Sequence, residues 1–353
     1  MLIPHTDTDL MTKPKEAKCI VWDLDNTIWD GVLLESEKVE LKPGIKEILE
    51  EFDSRGILHS IASKNNHDDA IDKLKEFGID HYFLYPQINW NAKSSSIAEI
   101  QKKINFGIDT FVFLDDQQFE REEVASLLPE VETIDALEYT EILKKERLNP
   151  KFITADSKQR RSMYQSDMIR NQTEVEFKGP QEEFLASLNM EFVISDAAEE
   201  DLKRAEELTV RTNQLNATGR TYDYDELNEF RLSENHKLIV CELTDKYGSY
   251  GKIGLALVEM NEDEWHIKLL LMSCRVMARG VGTVLLSHLM SEAKKANKRL
   301  FADFKVTDRN RMMFVTFKFA NFKEVAKNED YVVLENDLTN IQGYPDYIKV
   351  VHF

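Results

Sequence analysis

A chain of 353 residues is longer than one ordinary hydrophobic core supports, so two domains are expected. It is 42% hydrophobic and 31% charged, with no apolar run near the ~20 residues that cross a bilayer, which argues for a globular protein and against a membrane partner. A net charge of −19 argues against nucleic acid, whose binding needs a basic surface, and is no obstacle to a divalent cation. Three widely spaced cysteines, Cys19, Cys241 and Cys274, suit free thiols and a cytoplasmic setting. The polar stretch 1–16 lacks a hydrophobic signal core and reads as a loose tail.

Cys19 to Trp22 is a short apolar run that predicts a buried strand, and it ends in Asp23 and Asp25. In an extended or loop backbone, that spacing brings the Asp23 carboxylate and the Asp25 backbone carbonyl onto one hard cation. The Asp25 side chain is then left for proton transfer. With Thr27 the pattern is Asp-x-Asp-x-Thr, which resembles motif I of the haloacid dehalogenase (HAD) phosphotransferases. The resemblance implies that Asp23 attacks phosphorus, while Asp25 protonates the leaving group and then activates water.

Next come a small hairpin flap over 30–41, a helix over 45–55 and a strand over 57–62. That strand ends in Ser63-Lys64-Asn65, at the carboxyl end of a parallel strand, where ligands bind. It resembles HAD motif II, whose hydroxyl holds the phosphoryl group. A helix over 70–77 and a strand over 82–85 lead to Lys93, just ahead of a helix over 97–104. A cation there suits phosphate and the nucleophilic carboxylate, as in motif III. The apolar strand 110–114 delivers Asp115 and Asp116, which match the metal-binding motif IV. Neither gap between these motifs has room for a large cap, so the site should be open.

A strand over 131–134 and helices over 138–146 and 154–171 follow. From Lys144 to Arg170 eight basic residues face three acids, which reads either as a solvated face or as a dock for an acidic partner or a phosphate. A boundary is expected near Pro180. Beyond it, strands over 237–243 and 252–260 flank a glycine-rich loop at 247–251, and an apolar strand over 264–274 runs into Arg279-Gly280-Val-Gly282-Thr283 and a helix. This order resembles motif A of the GNAT acetyltransferases, and Asn310 and Phe314 to Phe322 resemble their last helix and strand. Phe317 stands where those enzymes often place a tyrosine acid. His266 and His236 have no evident partner and read as packed or exposed residues.

Taken together, the fold class expected is α/β. A Rossmann-like HAD parallel sheet without a large cap (17–140) and a helical connector (141–180) precede an α+β GNAT-like domain (181–353). This combination resembles the FkbH-like family, most specifically at Trp22 to Gly31, Ser63 to Asn65, Phe113 to Asp116, Arg211 to Asn216 and Met272 to Val276. The resemblance implies a phosphatase/transferase that takes a glyceryl unit from 1,3-bisphosphoglycerate and loads it onto an acyl carrier protein. It implies Mg2+ on Asp23, Asp25 and Asp115, with Asp116 as a further ligand. The phosphate would lie on Ser63, Lys64, Asn65 and Lys93. Met272, Arg279, Gly280, Gly282, Thr283 and Asn310 would hold acyl-CoA or phosphopantetheine. Cys274, beside Arg275, is the candidate acyl-carrying thiolate. Two other readings stand beside it: a metabolite-phosphate phosphatase joined to an acyl-CoA-dependent acyltransferase, and a phosphatase whose second domain only docks a partner.

Overall fold

The computed structural model describes residues 15–35, 38–212, 214–307 and 309–353. Two compact units divide between Gln165 and Ser166, inside the stretch expected as a connector. Of the expected tail, residues 1–14 lie outside the described ones. Lys15 and Glu16 are tied down, accepting hydrogen bonds from Arg147 Nε and the Lys151 amide.

Unit 1 is built on β1 (Cys19–Trp22), the hairpin β2 (Trp29–Asp30) and β3 (Glu40–Leu41), β4 (Leu58–Ser63), β5 (Gln87–Ile88), β6 (Phe111–Asp115) and β7 (Glu132–Asp135). Apart from the hairpin these form one parallel sheet in the order β5-β4-β1-β6-β7. β1, β4 and β6 are buried along their whole length, and β1 and most of β6 read as continuous apolar runs for that reason. Helices α1 (Ile45–Ser54), α2 (His67–Phe77), α3 (Lys93–Ile104) and α4 (Gln118–Leu127) alternate with the strands. On α1 the spacing of Ile45, Ile48, Leu49 and Phe52 puts all four in the core, each worth about 2 kcal/mol of burial. The insertion between Asp25 and Ser63 is only the hairpin and α1, so no large cap covers the sheet.

Local departures have local causes. The strand expected over 82–85 is reduced to an isolated bridge between Phe83 and His59, because Tyr85 takes a left-handed turn before Pro86. The helix expected over 138–146 is a series of short 3-10 turns. After α5 (Ala155–Lys158), capped by Thr154 as expected, α6 (Arg160–Glu176) carries much of the basic segment. Its arginines are used internally. Arg160 donates to Gly56 O, Arg161 pairs with Asp53, and Arg170 is fully buried against Asp245 and Asp167.

Unit 2 contains α7 (Gln181–Ser187), β8 (Met190–Asp196), α8 (Leu202–Arg211), α9 (Tyr224–Leu232), β9 (His236–Asp245), β10 (Gly248–Met260), β11 (Glu264–Met272), α10 (Val281–Lys295), β12 (Arg299–Lys305), α11 (Arg311–Phe319), β13 (Lys323–Asn328), β14 (Tyr331–Asn336) and β15 (Ile348–His352). Its mixed sheet runs β13-β14-β12-β11-β10-β9-β8-β15. The loop expected at 247–251 is a tight hairpin turn, with Gly248 at φ 131°, and the rest of it belongs to β10. Along β11, Ile267, Leu270 and Met272 enter the core under α10 and α11, while Leu269 and Leu271 face α8 and α9. β11 and β12 are parallel and pair only from Glu264–Arg299 to Ile267–Ala302, then diverge.

In unit 1, His59 accepts from Trp22 Nε1 at 3.0 Å and donates from Nε2 to Leu49 O at 3.1 Å. Burial holds its pKa down to about 4, so it stays neutral in the fold. An unfolded histidine protonates near pH 6.5, so this stabilisation is complete above that value and is lost as the pH falls toward 4. We predict a loss of about 3 kcal/mol from this residue over that range. Urea unfolding followed by tryptophan fluorescence at pH 7 and pH 4.5 should show a shallower loss in His59→Gln. Equal losses in the two proteins would refute the assignment.

Candidate active site

Three strand ends of unit 1 converge where the strand order reverses about β1, the place where open parallel sheets form a crevice. β1 delivers Asp23, β4 delivers Ser63 and β6 delivers Asp115, and each of these is buried. Lys93, the first residue of α3, is 2% exposed, and its ammonium meets the Asp23 carboxylate directly. The same nitrogen is 2.9 Å from Ala62 O and 3.0 Å from both Asp115 Oδ2 and Glu120 Oε2.

Asp25 is held differently. Its Oδ1 accepts from Trp29 Nε1 and the Leu33 amide, and its Oδ2 from Asn65 Nδ2, all at 2.8–3.0 Å. The hairpin and the end of β4 therefore aim this carboxyl group. Asn26, at φ 52°, makes the turn and accepts from the Gly31 amide.

Burial is the largest influence on Asp23 and raises its pKa, against the opposing charge of Lys93. Burial and then the charge of Asp23 push Asp115 up to about 7, and burial also raises Asp116. Lys93 is held protonated, because Asp23, Asp115 and Glu120 outweigh its own desolvation. Glu120 is held down in turn by Lys93 and Lys64, which overcome its burial. Ionised, Asp23, Asp115, Asp116 and Glu120 carry two more negative charges than Lys93 and Lys64 can balance.

A divalent cation fits that deficit. One carboxylate oxygen from each of Asp23, Asp115 and Asp116 lies within 4.8 Å of the others. Asp115 Oδ2 and Asp116 Oδ1 are buried and accept no hydrogen bond. Lys93 is close to the first, but directs its hydrogen bonds to Asp23 and Ala62. Hard oxygen donors of this kind suit Mg2+. Ser63 Oγ is buried beside them, next to the Asp23 carboxylate. Lys64, expected on phosphate, pairs instead with Glu120 at 2.7 Å. Glu120 is the residue that sequence reasoning missed; its only signal was an acid in the first turn of the helix that follows Asp115-Asp116.

In unit 2 the residues expected on a pantetheine chain are engaged internally. Met272 is packed in the core, and its amide donates to Leu215 O, while the Ala217 amide donates to Leu270 O, each at 2.9 Å. Lys305 N in turn donates to Ala217 O, so Leu215–Ala217 bridges the gap between β11 and β12. Asn310 Nδ2 secures this wedge through Asn216 O and Lys305 O. Arg279 is buried and pairs with Glu174. Gly280 caps α10 at φ 78°, and a Cβ there would lie 2.8 Å from Tyr347 Oη. Gly282 and Thr283 begin α10. Along Leu270–Met272 the strand edge is therefore bonded to Leu215–Ala217. Cys274 is half-buried in the short turn after β11.

The profile for haloacid dehalogenase-like hydrolases matches residues 29–120. No curated protein matches the whole sequence significantly. Among solved structures, the chain is similar to the N-terminal part of BF1531 from Bacteroides fragilis, which contains a phosphatase domain complexed with Mg. That match has 31% identity and a TM-score of 0.33, over 38% of this chain and 40% of that one. It is also similar to an N-acetyltransferase from Thermoplasma acidophilum in complex with coenzyme A, at 14% identity and TM-score 0.33, over 41% of this chain and 97% of that one. The ribosomal-protein-S18-alanine N-acetyltransferase from Escherichia coli is similar at 15% identity and TM-score 0.32, over 41% and 92%. Among the described residues no helix is long and apolar enough to cross a membrane.

If a cation balances this cluster, Mg2+ should raise the unfolding midpoint of the protein. At a hundredfold excess over its Kd the gain is about 2.7 kcal/mol. Differential scanning fluorimetry with Mg2+ and with EDTA measures it. Asp115→Asn should remove the shift, and a shift unchanged in that variant would exclude this site.

Proposed function

We propose that the chain is a magnesium-dependent phosphatase or phosphotransferase acting through an aspartyl-phosphate on Asp23, with a second unit that handles an acyl group. The observation that carries the first part is the Asp23 carboxylate at the end of the central strand, against Lys93 and within reach of Asp115 and Asp116. In this reading Asp23 attacks the phosphorus of a small phosphorylated substrate. Lys93 holds the nucleophile in line and offsets charge on the phosphoryl oxygens, and Ser63 donates to one of them. Asp25 gives a proton to the leaving oxygen and later takes one from the water that cleaves the acyl phosphate. Asp23, Asp115 and Asp116, with the Asp25 carbonyl, would hold Mg2+, which when bound would supply positive charge to offset that of the phosphoryl group.

The finer reading follows from the likeness to the FkbH-like family. The phosphoryl group removed would be that of a glyceryl unit drawn from 1,3-bisphosphoglycerate, with an acyl carrier protein as the final acceptor. The absence of a cap supports a bulky, carrier-bound substrate. A true acyl-CoA-dependent transferase is the second reading. The wedge Leu215–Ala217 counts against it along the expected groove.

Asp23→Asn should cut turnover of p-nitrophenyl phosphate in Mg2+ by more than roughly a hundredfold. Retained turnover would remove the nucleophile. If Cys274 carries the acyl unit, Cys274→Ala should keep phosphatase activity and lose the covalent adduct seen by intact-protein mass spectrometry with 1,3-bisphosphoglycerate. An equal adduct in the variant would return Cys274 to a structural role.

A further inference from the structure

Between α11 and the hairpin β13–β14 lies a pocket of about 400 Å³, within the range that holds small ligands. Its floor is apolar. Phe304 of β12 and Val332 of β14 are buried core residues, and the Phe314 ring of α11 lies 5.1 Å from that of Phe304, tilted by 48°. Thr316, about 200° around the helix from Phe314, faces the other way. Its Cγ2 is 4.0 Å from where a Cβ on Gly282 would stand, so the pocket is across α11 from the loop 279–283.

The polar groups on the wall are of two kinds. Thr307 and Asn310 use theirs on each other: the Thr307 amide donates to Asn310 Oδ1 at 3.0 Å, and the Asn310 amide to Thr307 Oγ1 at 3.2 Å. Glu324 of β13 is answered by Lys318 at 3.2 Å. Arg311 and Lys327 remain, and among the described residues neither has a charged partner. In a chain of net charge −19, two uncompensated cations over an apolar floor are out of keeping with the rest of the surface. Register places the second of them. Lys327 pairs across the strands with Val332, so it stands on the face of the hairpin that carries Val332 into the core. An inward charge can guard an edge strand such as β13 against pairing with another chain. That role does not account for Arg311, on the facing helix.

We propose that this pocket is a binding site for a small aryl carboxylate or aryl phosphate. The flat ring lies against Phe304, Phe314 and Val332, where aromatic contact adds to apolar burial. The anionic group sits between Arg311, whose forked donors match two oxygens, and Lys327, which acts as a point charge. A neutral polar head finds less to bind, because Thr307 and Asn310 are already engaged. The site is independent of the reaction proposed for the first unit and of the acyl-handling reading of the second.

Isothermal titration of the full-length protein with 2-naphthoate, which has no phosphate for the first unit to remove, tests this. One site per chain is expected, with a Kd below about 1 mM at low salt. Neutral 2-naphthylmethanol should bind at least about tenfold more weakly. Arg311 and Lys327 are both exposed, so Arg311→Gln and Lys327→Gln should fold as the wild type does, which circular dichroism and the unfolding midpoint check. Each should weaken 2-naphthoate by about fivefold or more and leave 2-naphthylmethanol unchanged. No binding of 2-naphthoate at millimolar concentration would overturn the site. So would undiminished binding in the double variant, which would put the ligand elsewhere, or an alcohol that binds as tightly as the acid.

Discussion

The constraint on which the first unit depends is the burial of Asp23 and Asp115 at the ends of adjacent strands, with Asp116 beside them. Like charges about 4 Å apart repel by roughly 4 kcal/mol even at the effective dielectric of a protein surface. Desolvation adds to that cost. One buried ammonium, Lys93, touches both strand-end carboxylates and Glu120 as well. The remaining deficit is that of a divalent cation, so the cluster is electrostatically incomplete as a purely structural feature. In the proposed reaction, a phosphoryl group beside Ser63 would meet charge already arranged for it.

The parallel sheet is what makes this arrangement attainable. All its strands point the same way, so residues distant in sequence reach one edge without long loops, and α3 starts at that edge with Lys93. The hairpin behind Asp25 does a narrower task. Trp29 and Leu33 each donate to Asp25 Oδ1, so a short insertion, rather than a cap domain, orients this carboxyl group.

Much of this was legible because the signals were local. Asp23, Asp25 and Asp115-Asp116 each end or follow an apolar run, and a run buried on both faces announces its own strand. Glu120 was not legible, since nothing in Gln118 to Leu127 distinguishes an acid that turns back to Lys93 from one facing water. The strand expected near Tyr82 failed because apolar content cannot reveal the left-handed turn at Tyr85. In the second unit the sheet and the helix after Gly280 followed from pattern, but the use made of them did not. Arg211 to Asn216 was visible as a motif, yet only the register of Leu215–Ala217 against Leu270 and Met272 shows that it fills the space a groove would occupy.

The buried charges of the second unit show how a structural cluster differs from a reactive one. Arg170 is fully buried, bonded to Asp245, Asp167 and Gly248 O, and stacked 3.8 Å from the Tyr250 ring. Donors and acceptors are matched there, and the set is closed to solvent around the guanidinium, as a buried ion pair must be to offset its desolvation. Asp303 is likewise buried and well supplied, with Lys268 Nζ at 2.6 Å and His266 Nε2 at 2.7 Å. Lys93 in the first unit differs: it is overdrawn by carboxylates and stands beside buried oxygens that accept nothing. It is that mismatch, rather than burial or charge alone, that separates the Lys93 cluster from the one around Arg170.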